Sequence, residues 1–223
     1  MGLYYFPFYF IAVRLSHPIE AGVNLFPTTF FLLPGSAVVS QLMTRFGTFR
    51  WALWSGWAIS VVGAGVLILL GIGTKTAVWA TASSIFGVGM GMVLSSTNFA
   101  IQAGVPAEIA GAAAAMYTFM RSTGMAVGVA IGGTIFQNRM RARLIELDLP
   151  VAIAANAEGF VQQLRQLSPA DSVRVGILKA YEHGFRSVFE AMTALCGIGL
   201  VVSQAIKQHS LDKGLDSRYS LQR

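Results

Sequence analysis

The chain has 223 residues and a net charge of +6, with 54% hydrophobic residues and only 12% charged. A soluble domain carries about 25% charged residues. This composition, with a mean hydropathy of +0.61, therefore excludes an ordinary soluble domain and predicts an all-α integral membrane protein. Most basic residues fall in connectors and in the tail, which fits a membrane surface rather than nucleic acid.

In chain order, MGLYYFPFYFIAV has neither the basic start nor the small-residue cleavage site of a signal peptide. About 13 residues reach roughly 20 Å, short of a hydrocarbon core of roughly 30 Å. Residues 1–14 are expected to be the second half of a spanning helix, truncated at its start. The second span is expected over 22–43, and Pro7, Pro27 and Pro34 are expected to kink the helices that hold them. The third, 52–71, opens on Trp51, Trp54 and Trp57, spaced as an interfacial aromatic belt on a lipid-facing helix. The fourth, 77–102, places Gly87 and Gly91 four residues apart, a small ridge for helix packing. Its second half carries Ser95, Ser96, Thr97, Asn98 and then Gln102. Those groups suit either a polar pathway or hydrogen bonds between helices.

The fifth span lies within 109–137 and contains MRSTGMAVGVAIGG, residues 120–133. Gly124, Gly128 and Gly132 form a packing ridge at intervals of four. Arg121 is almost two turns from Gly128 and shares its side, so it is expected to face protein or a water-filled cavity. It is either a structural arginine held by a neighbour's carbonyls or an acid, or a functional group, since an intramembrane charge is a functional candidate. Residues 138–184 read as a long extramembrane loop, with two local signals. Ser168-Pro169-Ala170-Asp171 has the form of a helix start. Phe160, Leu164 and Leu167 recur at helical spacing, as in a short interfacial helix. The sixth span is expected over 187–206, with Glu190 as an interfacial acid near its start. The tail, 207–223, reads as polar and disordered.

No catalytic constellation is present in the sequence. His17, His183 and His209 are too far apart for a metal-ligand spacing, and the single Cys196 allows no internal disulfide. Neither an enzyme nor a cofactor is expected.

Several segments resemble one transporter family. HPIEAGVNLFP (17–27), SQLMTRFGTFR (40–50) and MYTFMRSTGMAVGVAIGGTIFQNRM (116–140) resemble segments of the major facilitator superfamily. More narrowly, they resemble its fourteen-span drug:proton antiporter branch, of fungal type. The long connector and KAYEHGFRSVF (179–189) also fit that branch. Thr44 stands where the family's cytosolic loop carries an acid. The resemblance covers essentially the whole chain. It implies that residues 1–206 are the C-terminal six-helix bundle of a major facilitator fold, with its first helix clipped.

The resemblance also implies both ends in the cytosol, although the basic residues are more numerous on the opposite side. Spans one, two, four and five would surround a central cavity, and three and six would face lipid. The partners implied are the lipid bilayer, a missing N-terminal bundle, a small-molecule substrate and, by resemblance alone, protons. The expected function is one half of a polyspecific efflux transporter for amphipathic small molecules such as drugs, toxins or secondary metabolites. Arg121, Tyr117, Asn98, Phe99 and Tyr9 are the residues expected to border the path. The plasma membrane is the expected location, the vacuolar membrane the alternative. The rival function is a non-transporting half-bundle that acts as a membrane assembly partner, or a degenerate gene product.

Overall fold

The computed structural model describes residues 1–168 and 171–206. Pro169 and Ala170 of the expected helix start, and the whole tail 207–223, lie outside the described residues. The described residues form nine α-helices, one short 3-10 turn and no strand. The helices are α1 (Gly2–Ala12), α2 (Pro18–Asn24), α3 (Phe26–Phe46), α4 (Arg50–Leu67) and α5 (Thr76–Ala103). After the turn at Ala107–Ile109 come α6 (Ala110–Glu146), α7 (Ala152–Ala155), α8 (Ala157–Gln166) and α9 (Ser172–Gln204).

Local chemistry sets many of the ends. Pro18 occupies the first turn of α2, and Glu20 accepts a hydrogen bond from the His17 N–H at 3.2 Å. Gly47, at φ 65°, ends α3 in the left-handed conformation that glycine adopts without strain. Asp171 caps α9 by accepting from the Val173 N–H at 2.9 Å.

Among the described residues, four stretches are long and apolar enough to cross a membrane: 18–46, 76–103, 110–146 and 172–204. With 18 residues α4 reaches about 27 Å, and with 11 residues α1 reaches about 16 Å. The longest helices are α6, with 37 residues and about 55 Å, and α9, with 33 residues and about 50 Å. Both exceed a hydrocarbon core of roughly 30 Å, so part of each projects beyond it.

Those projections occupy much of the segment read from sequence as a loop. Phe136, Met140 and Leu144 of α6 recur every four residues and are buried. So are Ile177, Tyr181 and Phe185 of α9. The two helices therefore go on packing where the sequence turns charged. Between them α8 buries Ala157, Val161 and Leu164 in the same core. Tyr181 donates to the Ala157 carbonyl at 2.5 Å, and Arg165 donates to the Ser16 carbonyl at 2.5 Å. The connector is thus a helical cap fastened to the turn after α1 and to α9.

Inside the bundle, small residues bring backbones together. A Cβ added at Gly87 would lie 2.3 Å from the Thr28 carbonyl oxygen, and one at Gly91 would lie 2.4 Å from that of Leu32. Glycine is what allows α5 to lie against α3, and Ser36 and Ser95 then hydrogen-bond across the pair at 2.7 Å. The tryptophans of α4 correct the expected lipid-facing belt. Trp54 donates to the Ser203 carbonyl at 3.2 Å, and the Trp57 ring lies against Gly199 of α9. The missing side chain at Gly199 leaves room for the indole, so two of the three tryptophans hold α4 to α9.

Candidate functional site

The side chains proposed for a path do not all meet. Tyr117 and Arg121 stand one turn apart on α6. The Tyr117 hydroxyl donates to the Leu94 carbonyl of α5 at 3.3 Å. Asn98, one turn along α5 from Leu94, is half-buried and accepts from the Gln102 amide. Tyr117 and Asn98 lie where α6 touches α5, and Arg121 is exposed. Phe99 departs from them, packing against the cluster of Val39, Met43, Phe49 and Ala52 formed by α3, the turn after it and α4.

Tyr9 departs further. It is 1% exposed and packed among Phe10, Phe185 and Phe189. Its hydroxyl donates to the Gly71 carbonyl at 2.9 Å, and Arg14 donates to the Thr74 carbonyl at 3.1 Å. Tyr9 therefore fastens the α4–α5 turn to α1 and borders no open face. The sequence alone does not distinguish these two roles, because the turn lies sixty residues away along the chain.

The glycine ridge of α6 is used at one end. A Cβ at Gly132 would lie 2.5 Å from the Tyr5 ring, whereas Gly128 only borders Met1 at 3.8 Å. Gly124 has nothing within 4 Å. The α6 helix thus packs on α1 near Gly132 and stands open towards its N-terminal half, where Met116, Phe119 and Met120 are exposed.

Arg121 lies on this open stretch. It makes no hydrogen bond or ion pair with any described residue. Its polar neighbours are satisfied inside the helix: Thr118 donates to Ala114 O at 3.0 Å, Ser122 to Thr118 O at 2.9 Å and Thr123 to Phe119 O at 3.0 Å. A guanidinium has five donors and cannot be satisfied by a carbonyl of its own turn.

A second polar feature escaped the sequence. A cleft of about 360 Å³ opens between α1 and α6 beside the cap. Tyr4, Phe8 and Phe136 wall it with aromatic rings, and Gln137, Asn156 and Glu158 bring polar groups. Tyr4 donates to the Glu158 carboxylate, and Tyr5 donates to the Val129 carbonyl at 2.9 Å. Nothing local signals the first pairing, since its members are 154 residues apart. Among the described residues no three His, Cys, Asp or Glu side chains cluster to hold a metal ion.

Comparison with known proteins gives a consistent result. The chain is 34% identical over 219 residues to the MFS transporter L2 of Phoma sp., which covers 96% of this chain and 36% of that protein. It is 27% identical to the Acurin A biosynthesis cluster MFS-type transporter of Aspergillus aculeatus, over 98% of this chain and 41% of that protein. It is 25% identical to the efflux pump FUS6 of Gibberella moniliformis, over 98% of this chain and 40% of that protein. The chain thus spans well under half the length of the curated relatives it matches. No family model matches it.

Proposed function

We infer that this chain, which belongs to the major facilitator superfamily, forms the C-terminal bundle of a fungal-type efflux transporter of the fourteen-span drug:proton antiporter branch. In that superfamily substrate passes between two bundles that rock against each other. The open surfaces of α3 and α6 are the ones this bundle would turn towards its counterpart. The substrate class is an amphipathic small molecule, such as a drug, a toxin or a secondary metabolite. Proton exchange is the proposed driving force, and the plasma membrane the proposed location. Three relatives named as transporters or pumps support the class.

One observation carries the mechanistic part. Arg121 stands on an apolar, membrane-length helix and makes no hydrogen bond or ion pair with any described residue. An arginine at the centre of a spanning helix costs roughly 2.5–3.5 kcal/mol on insertion scales unless it finds protein or water. The guanidinium would therefore meet an acid, a substrate oxygen or water in the cleft between bundles. Tyr117 and Asn98 would present further hydrogen-bonding groups beside it. Rocking would let Arg121 exchange one partner for another, which couples the contact to the direction of opening.

The test replaces Arg121 by Ala and by Lys in the complete transporter. Efflux of a fluorescent amphipathic dye is followed in cells, with surface abundance measured alongside. Efflux is expected to fall roughly tenfold or more for Arg121→Ala, the loss of one charge-assisted bond. Unchanged efflux at equal abundance would remove Arg121 from the mechanism. The same open apolar faces would also suit a half-bundle that docks on another membrane protein. Reading the transcript upstream of Met1 separates the two. Further spans in frame favour the transporter, and a transcript that starts beside Met1 favours the docking role.

A further inference from the structure

A groove of about 490 Å³ lies between α6 and α9, and its two ends differ in chemistry. At one end stand Asn138 and Arg139 of α6 with Ser187 and Glu190 of α9. At the other the lining is Ile135, Ala191 and Ala194. Beyond the apolar end α9 continues outward with Leu195, Ile198 and Val202, all exposed. Both helices are long and apolar enough to cross a membrane. The apolar end of the groove therefore leads to hydrocarbon and the polar end lies towards the water.

The polar end is largely unspent. Asn138, Arg139 and the Ser187 hydroxyl make no hydrogen bond with any described residue. Glu190 accepts from the Arg186 guanidinium at 3.3 Å through Oε1 only, so Oε2 has no partner among the described residues. One unpaired cation, two neutral hydrogen-bonding groups and one half-used carboxylate thus converge beside an apolar channel.

We propose that this groove seats a phospholipid whose headgroup carries both a phosphate and a protonated amine. The phosphate meets Arg139, whose planar fork of donors suits a phosphate better than a point charge would. Asn138 and Ser187 donate to the same group, and the ammonium meets the free oxygen of Glu190. One acyl chain follows Ile135 and the two alanines, whose small side chains leave it room. An anionic headgroup without an amine would leave the Glu190 carboxylate facing negative charge, so the groove discriminates between the two. The site is independent of whether the chain transports anything.

The experiment is native mass spectrometry of the purified full chain in detergent. The probes are equimolar phosphatidylethanolamine and phosphatidylglycerol of matched chain length. The wild-type chain is expected to retain the ethanolamine lipid in preference. Arg139→Gln should lower retention of both lipids roughly tenfold, since both lose the same charge-assisted contact. Glu190→Gln should abolish the preference for the amine while phospholipid is still held. Ala194→Trp, at an exposed position, should lower retention of both lipids by filling the channel and leaving the charges intact. Helix content by circular dichroism confirms that each variant is folded, and Arg139→Met, which also removes the charge, stands in for a glutamine variant that is not. Equal retention of the two lipids by the wild-type chain, or undiminished retention by the Arg139 variants, would overturn the assignment.

Discussion

Substituting Gly87 by Ala tests whether close backbone approach holds this bundle together. The added Cβ would sit 2.3 Å from the Thr28 carbonyl oxygen and 3.1 Å from its carbon. Non-bonded atoms prefer about 3.5 Å, so α3 and α5 must move apart by about 1 Å. The obstacle is backbone, which cannot swing aside as a side chain can. Overpacking of this kind typically costs about 1–3 kcal/mol. In a chain of this length each kcal/mol lowers the melting temperature by about 2–4 °C. A loss of about 2–12 °C is therefore expected in detergent, read by thermal unfolding. The matched control is Gly124→Ala, where nothing lies within 4 Å. It should melt at or slightly above the parent temperature, because alanine is the better helix former. Gly91→Ala should behave like Gly87→Ala, and the double variant should lose less than the sum, since one separation serves both sites. If Gly87→Ala and Gly124→Ala melt together, close approach at Gly87 does not stabilise the bundle.

Two further outcomes test the cap and the core. Leu164 of α8 is fully buried, so Leu164→Ala is expected to cost about 2–5 kcal/mol. The check is limited proteolysis, with faster cleavage within 147–168 and no change in the spans; equal cleavage would mean the cap is not packed as described. Tyr9→Phe removes only the hydroxyl that reaches Gly71, and should cost about 0.5–1.5 kcal/mol of stability. Efflux by the complete transporter should be unaffected, and its loss at unchanged stability would return Tyr9 to the path.

Much of the fold was legible because hydropathy and glycine spacing are local signals. The runs read as spans over 22–43, 77–102 and 109–137 announce helices by composition alone. Gly87 and Gly91 announce a close neighbour, though not that the neighbour is α3. The connector misled for an instructive reason. Arg139, Arg141 and Arg143 end the apolar run, but they do not end the packing. Phe136, Met140 and Leu144 keep a fourfold spacing through the arginines, and Ile177, Tyr181 and Phe185 do the same on α9. Hydropathy marks where the bilayer stops, whereas periodicity marks where the helix stops. The tryptophans misled similarly. Their spacing fits an interfacial belt, but Gly199, more than 140 residues away, decides where Trp57 points. Asn98, Tyr117 and Arg121 were legible as polar groups in apolar runs. The Tyr4–Glu158 pair was not, because only the folded cap brings its members together.

The exposed surface itself separates into two kinds, and the difference bears on what covers each. On α9 the outward stripe is Leu195, Ile198, Val201 and Val202, and hydrocarbon satisfies all of it. On α6 the outward side mixes Met116, Phe119 and Met120 with Thr118, Arg121, Ser122 and Thr123. The three hydroxyls cost little in lipid, because each donates to a carbonyl of its own helix. The guanidinium has no such recourse at mid-helix. Arg121 lies 25 residues from the C-terminal end of α6, which at about 1.5 Å per residue is some 37 Å. It lies 11 residues, about 16 Å, from the N-terminal end. An arginine side chain cannot reach the water from the middle of a core of roughly 30 Å without distorting the bilayer. The α9 stripe can therefore remain against lipid, whereas the α6 face requires protein or water opposite it. That asymmetry, more than any single contact, is why the α6 side is the one we assign to the transport path.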